Sequence, residues 1–228
     1  MRILINGARG KLGSSIIKNL LENGYKDLVC VDVIEGSFEG YTIYNSLNNI
    51  DKNVDAVIDC STANAIDSII DFSIKSNAIL IICTTGYSDL QLSKIKRTGT
   101  NIPVLLSPNM SYGANVLFDI VERVSKKIPD WDVEIVETHH AKKIDKPSGT
   151  AKKLKEIISN INNKKINVHS LRLANIIGIH KIIFASNNES ITIEHKANDR
   201  SVFASGILKA LNLLKNKKKG FYTFKDIL

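Results

Sequence analysis

Two adjacent histidines, two lysines and an aspartate fall within seven residues, at His139, His140, Lys142, Lys143 and Asp145, and Pro147, Ser148, Gly149 and Thr150 follow closely. Such groups exchange protons near neutral pH, and the turn after them is of a kind that holds anions. Neighbours on an extended segment project to opposite sides, so one of the two histidines can face a ligand while the other points elsewhere. Lys142 and Lys143 favour an anionic ligand and depress the pKa of a nearby imidazole. Ser148, Gly149 and Thr150 sit where a loop enters a helix. Unpaired N–H groups, the helix dipole and two hydroxyls can there address a carboxylate or phosphate. The plainer alternative is a solvated basic loop and an ordinary helix cap, since Ser or Thr before an Ala-Lys-Leu run is routine capping chemistry. No metal is expected: adjacent histidines cannot readily bite one ion, and Cys30, Cys60 and Cys83 are scattered.

Elements must position these groups. Val133 to Glu137 alternates and reads as a strand running into the histidines; residues 150 to about 160 read as the helix beyond the turn. At the start of the chain, an apolar strand over residues 2–6 meets Gly7, Ala8, Arg9, Gly10, Lys11, Leu12 and Gly13, and then a helix to about residue 23. This is a dinucleotide fingerprint in G-x-x-G-x-x-G spacing. Gly7 permits the tight turn, Gly10 lets backbone approach a pyrophosphate, and Gly13 allows close helix packing. Leu28 to Val31 reads as a buried strand ending at Asp32, where an acidic group can accept from ribose hydroxyls or merely terminate the strand.

Residues 33–53 carry poor signals and read as a loop with a short strand near 41–44. Strands follow at 54–59, 78–82 and 104–106, with helices to about residue 76 and over 90–96 between them. Alternating strands and helices imply a parallel sheet with right-handed crossovers, so the first half reads as a nucleotide-binding domain. A helix over 115–127 comes next. Then the pattern changes: strands near 167–172, 181–185 and 190–195, with Asn187-Asn188 as a hairpin turn, give a mostly antiparallel second half before a final helix over 203–216.

Composition bounds the class. A chain of 228 residues, 43% hydrophobic, can bury a substantial core as one large or two small domains. Scattered cysteines fit a reducing cytoplasm, and no signal peptide or run of roughly 18 apolar residues appears, so no membrane is expected. The net charge is +8, but no aromatic interleaving or reading motif accompanies it, so no nucleic acid is expected and the charge fits small anionic ligands.

Together these residues resemble the dihydrodipicolinate reductase family of bacterial lysine biosynthesis. Its signature E-x-H-H-x-x-K-x-D-x-P-S-G-T-A is matched at Glu137, His139, His140, Lys143, Asp145, Pro147, Ser148, Gly149, Thr150 and Ala151. The likeness extends through the glycine turn, Thr84-Thr85-Gly86, Asn109-x-Ser111-x-Gly113-x-Asn115, Arg172, Gly178-x-His180, His195-x-Ala197-x-x-Arg200 and Gly220-Phe221-Tyr222. The resemblance implies an α/β fold: a Rossmann-type parallel-sheet nucleotide-binding domain over 1–110, with 206–228 packing back on it, plus an α+β substrate and oligomerisation domain over 111–205 with a mostly antiparallel sheet.

It also implies NAD(P)H-dependent reduction of 4-hydroxy-tetrahydrodipicolinate, a cyclic dicarboxylate, to tetrahydrodipicolinate. His139 would be the proton donor or acceptor and Lys143 the second proton donor. His140, Ser148, Gly149 and Thr150 would bind substrate. Gly7, Ala8, Arg9, Gly10, Lys11, Leu12, Asp32, Cys83, Thr84, Thr85, Ser107, Pro108, Asn109 and Met110 would line the cofactor. Each domain would give half of the site, and the family's usual homotetramer is implied. NADH is mildly favoured over NADPH, because a 2′-phosphate would meet Asp32 with no arginine after it.

There are departures from the family's pattern. Cys60 and Ala63 replace an aromatic residue and a proline, which would loosen that loop. Leu173 and Ala174 replace glycines, and Ile179 stands where an acid is usual. Two other readings remain: a different two-domain amino-acid dehydrogenase, and a nucleotide-binding protein without turnover.

Overall fold

The structure is a computed structural model that describes every residue except Asn163. By its internal contacts the chain forms two compact units, residues 1–112 with 203–228 and residues 113–202.

In the first unit the strand β1 (Ile3–Asn6) is buried throughout and leads into α1 (Lys11–Glu22). β2 (Leu28–Val31), β3 (Gly36–Phe38) and β4 (Tyr41–Tyr44) follow; then β5 (Ala56–Asp59), α2 (Ile66–Lys75), β6 (Ile79–Ile82), α3 (Asp89–Thr98) and β7 (Pro103–Leu106). The chain leaves for the second unit in α4 (Tyr112–Lys127) and returns through α6 (Ser201–Leu214), β12 (Gly220–Tyr222) and α7 (Phe224–Ile227). The eight-stranded sheet has the order β12-β7-β6-β5-β1-β2-β4-β3, with every pair parallel except β3 with β4. Strands run outward from β1 in both directions, so the topological reversal lies between β1 and β5.

Both faces of the sheet are covered at β1, β2, β5, β6 and β7, which is why these strands are apolar runs without alternation. Ile3 and Ile5 point to one side, among Ile16, Ile17 and Leu20 of α1, Ile207 and Leu211 of α6, and Phe224 of α7. Leu4, Val57 and Leu80 point to the other, among Ile66, Ile69 and Ile70 of α2 and Ile95 of α3. Three elements differ from the sequence reading, one of them α7, which follows the helix read as the last. The loop expected over 33–53 contains β3, an exposed antiparallel edge strand, besides the strand at 41–44. The tail adds β12 to the sheet edge, pairing Phe221 with Val104.

The second unit holds β8 (Asp132–His139), α5 (Gly149–Ser159), β9 (Asn167–Arg172), β10 (Gly178–Ala185) and β11 (Ser190–Ala197). The sheet order is β11-β10-β8-β9; β10 is antiparallel to both neighbours and β8 is parallel to β9. Val133 and Ile135 of β8, with Ile182 and Phe184 of β10, pack against Leu117 and Val121 of α4 and Leu154 and Ile158 of α5. Alternation then dictates that Glu137 and His139 point to this same covered face, and Val136 to the other.

Ala174 follows β9 with φ 42°, a left-handed backbone in which a Cβ costs about 1–2 kcal/mol. Glycine would relieve that strain and lose roughly 0.4–1 kcal/mol through the freer unfolded chain. Ala174→Gly should therefore leave the fold intact and raise the melting temperature by about 1–4 °C; a lower value in thermal denaturation would show the strain to be absent.

Candidate active site

In the first unit the expected cofactor residues gather at the carboxyl edge of the parallel sheet, beside the β1/β5 reversal, where open α/β sheets take ligands. Gly7 has φ 87°, and a Cβ there would stand 2.7 Å from the Cys60 carbonyl oxygen. A Cβ on Gly13 would lie 2.1 Å from the Gly7 oxygen, so both positions require glycine. No side chain caps α1 at Gly10, and its first turn carries no acid. The N–H groups that begin a helix are thus left for an anion. The turn fits a pyrophosphate.

Not every residue of the turn contributes alike. Gly7 N and Ala8 N donate to the Val31 carbonyl at 2.9 and 3.1 Å, and Ala8 is buried in the core. Asp32 accepts from the Arg9 backbone N–H at 2.8 Å and from Val33 N at 2.8 Å. It therefore ties the second strand's end to the glycine turn. The Arg9 guanidinium donates to the Glu35 carbonyl at 3.1 Å, so a cation lies along the loop after Asp32, which the sequence did not reveal.

Ser107 donates to the Asn109 carbonyl at 2.7 Å, and the Ser111 N–H donates to the Asn109 side chain at 2.9 Å, closing the turn that holds Pro108 and Met110. Cys83, Thr84 and Thr85 follow β6. The segment at Cys60 is tied down rather than loosened. Its thiol donates to the Asn6 carbonyl at 3.1 Å, and Ser61 donates at 2.6 Å to buried Asp59, which also accepts from Asn6 at 3.1 Å. Burial, with the nearby Asp59 and Asp32 charges, pushes the Cys60 thiol well above its ordinary pKa.

In the second unit the proton-exchanging groups assemble around a carboxylate. Glu137 is 0% exposed. Arg172, on β9 two residues beyond Glu137's cross-strand partner Ser170, grips it with two prongs, Nη2 to Oε1 at 2.8 Å and Nη1 to Oε2 at 3.0 Å. His139 Nδ1 bonds to Oε2, and the Ser148 N–H donates to Oε1 at 3.3 Å. Burial raises the Glu137 carboxyl, but hydrogen bonds from Arg172, Ser170 and His139 outweigh it and bring the pKa down to about 2. Burial lowers the His139 pKa, Glu137 opposes this, and Lys143 and Arg172 lower it further.

Lys143 pairs with Asp145 at 2.7 Å, and its N–H donates to the His140 carbonyl at 3.0 Å. Ser148 is 2% exposed; its hydroxyl accepts from Ala151 N at 3.2 Å and bonds His180 Nε2 at 3.2 Å. That hydroxyl is engaged between the start of α5 and His180 of β10. Nothing stands within 4 Å of where a Cβ on Gly149 would be, so backbone there is approachable. Among the described residues no group of three or more His, Cys, Asp or Glu is placed to hold a metal ion, and no helix is long and apolar enough to cross a membrane.

Sequence reasoning gave Glu137, Arg172 and His180 no role of their own. The signal was available: each falls at a core-facing position of an alternating strand, where a charge or imidazole must have a partner.

Two family models divide the chain, "Dihydrodipicolinate reductase, N-terminus" over residues 1–110 and "Dihydrodipicolinate reductase, C-terminus" over 113–228. The 4-hydroxy-tetrahydrodipicolinate reductase of Thermosipho africanus is 37% identical over 231 residues, covering 100% of this chain and 98% of that protein. That of Brachyspira hyodysenteriae is 34% identical over 245 residues and covers 100% of both. A solved dipicolinate-bound dihydrodipicolinate reductase from Paenisporosarcina sp. TG-14 superposes with a TM-score of 0.85 at 23% identity, over 98% of this chain and 97% of that one.

Burial, followed by the His139 and His195 charges, brings the His180 pKa from 6.5 down to about 3. The unfolded chain then binds more protons between those values, so this contribution to stability is whole above pH 6.5 and lost as pH falls toward 3. Denaturant unfolding should show stability falling by up to about 1.4 kcal/mol per pH unit in that window from this group. His180→Gln should flatten the slope; an unchanged slope would show that His180 titrates normally.

Proposed function

Because the chain belongs to the dihydrodipicolinate reductase family, we propose how its own residues divide the family's reaction. It is an NAD(P)H-dependent oxidoreductase that reduces 4-hydroxy-tetrahydrodipicolinate to tetrahydrodipicolinate in the diaminopimelate route to lysine. The observation that carries the division of roles is the His139–Glu137–Arg172 cluster lying directly before the Ser148 turn into α5.

The first unit binds the cofactor. The uncapped start of α1 takes the pyrophosphate through the N–H groups of Lys11 and Leu12, the Gly10 N–H being bonded to the Gly7 carbonyl at 3.1 Å, and Asp32 takes the ribose. Cys83 to Thr85 and Ser107 to Met110 line the remainder. The cofactor, when bound, supplies the hydride.

The second unit binds substrate and moves protons. The N–H groups of Gly149 and Thr150, aided by the α5 dipole and His140, receive a substrate carboxylate. Ser148 contributes by shaping the turn, since its hydroxyl is already bonded on both sides. His139 rests as the neutral ring, its Nδ1–H held by Glu137, so its Nε2 lone pair takes up a proton before passing it on. Lys143 Nζ carries the second proton.

The face of the second sheet opposite the helices carries Val136, Ile179 and Ile183 between the Lys181–Glu194 and His169–Glu134 pairs. That surface suits assembly with further copies into a homotetramer, and light scattering that reads a monomer would refute this. The cytoplasm is the compartment that fits a biosynthetic reductase, and cell fractionation tests it.

The purified protein is to be supplied with substrate made in place by the preceding synthase, with NADH and NADPH absorbance followed in parallel. Turnover with neither coenzyme would overturn the reading. Lys143→Ala should lower kcat by at least about 10²-fold while leaving NADH binding within about twofold; wild-type turnover would remove Lys143 from the mechanism. Asp32→Ala should weaken NADH more than NADPH, as expected if Asp32 holds the ribose 2′-hydroxyl and repels a 2′-phosphate. Equal losses would count against that contact and against the preference for NADH.

A further inference from the structure

The His139 ring has one nitrogen occupied by a carboxylate that is wholly buried, and that carboxylate has its own partner, Arg172. Arg172 does more than neutralise it. The same guanidinium donates from Nη2 to the Asp145 carbonyl at 2.6 Å, from Nε to the Lys143 carbonyl at 3.3 Å and from Nη1 to the Leu171 carbonyl at 2.7 Å. One side chain thus clasps the carboxylate behind His139 and the backbone that carries Lys143. Its own side chain is only 7% exposed.

We propose that Arg172 and Glu137 form a single positioning unit for the reaction: Glu137 fixes the tautomer and direction of the His139 ring, and Arg172 holds Glu137 and the Lys143 backbone in one register. This rests on the reading of His139 and Lys143 as the proton carriers. Neither Glu137 nor Arg172 is a catalytic residue; both act through the groups that they hold.

The chemistry requires such a unit. An imidazole that exchanges a proton at Nε2 must carry its other hydrogen at Nδ1, and an acceptor aimed at Nδ1 selects that tautomer. A bare carboxylate at 0% exposure would be too costly, so the acceptor needs a bidentate cation. Arginine supplies five donors in a fixed fork. Two prongs meet Glu137 while the remaining three hydrogens reach the Lys143 and Asp145 carbonyls of the loop and the Leu171 carbonyl; lysine could not span them. Gly178, opposite His139, completes the fit, because a Cβ there would stand 3.1 Å from Nε2.

The test uses the full-length enzyme with nitrogen-15 in its histidines, the His139 signals being assigned from a His139→Gln sample. The groups facing His139 are Glu137 on its own strand, Lys143 on the following loop, Arg172 on β9 and His180 on β10 at 5.2 Å between ring centres. Of these, Glu137 alone raises the His139 pKa. Glu137→Gln should move the His139 titration to lower pH, mix its tautomers and cut kcat about 10²-fold, the order expected for a misplaced catalytic group, with NADH affinity unchanged. Glu137→Asp keeps the charge and should bring the titration back toward wild type. Arg172→Lys should also lower kcat, with the tautomers mixed as in Glu137→Gln.

Should Glu137→Gln fail to fold, Glu137→Asp and Arg172→Lys still give the ring readout. An unaltered His139 titration and tautomer in the folded variants would overturn the proposal even where activity fell, because general loosening would then suffice. Wild-type turnover in His139→Gln would overturn the proton-carrier reading instead, leaving the ring result to stand by itself.

Discussion

The second unit is organised by one electrostatic constraint, a carboxylate at a position with no access to water. An ion taken from water into protein costs several kcal/mol unless close partners replace its hydration. Glu137 is satisfied by four partners, the Arg172 fork and Ser170 of β9, His139 and the Ser148 N–H, and each belongs to a segment that needs placing. Satisfying the charge therefore fixes the β9 end, the histidine strand and the start of α5 relative to one another. The loop that carries Lys143 and Asp145 runs between fixed points because its backbone answers to the same arginine.

The first unit is governed by close packing of backbone instead. Gly7 and Gly13 remove two Cβ atoms that would collide with main-chain oxygens at 2.7 and 2.1 Å. Their absence lets α1 begin directly over the end of β1 with its N–H groups uncapped. Asp32 then couples the turn to β2 through the Arg9 N–H. The carboxylate that ends β2 thus also steadies the glycine turn.

How much of this could be read from the residues alone follows from the range of each interaction. The central strands and their helices were legible because apolar runs of four or five residues and helical spacing are local signals. The mostly antiparallel second sheet was legible for the same reason, although the parallel pairing of β8 with β9 was not. β12 was hidden because three residues, Gly220 to Tyr222, become a strand only by pairing with Pro103 to Leu105 far back in the chain. β3 was hidden because an exposed edge strand has no apolar pattern. The α4 start at Tyr112, ahead of the expected Asn115, includes a glycine that helical propensity disfavours; at Gly113 a Cβ would stand 2.9 Å from His195 Nε2. Tertiary fit overrides propensity there.

The histidines and lysines were legible as residue types, and the Glu137–Arg172 pair behind them was not. His139 and Lys143 announce proton chemistry by being rare together. Arg172 lies 35 residues from Glu137, and only the register of β8 with β9, which sets His139 opposite Arg172, brings the guanidinium to the carboxylate. A one-residue slip in that pairing would send the arginine to the opposite face and leave Glu137 charged and unpaired, a loss of about 3–5 kcal/mol. The buried pair thus selects the strand register as well as the ring's direction. On the proposed reading of His139 and Lys143, activity and correct pairing of the sheet draw on the same ion pair.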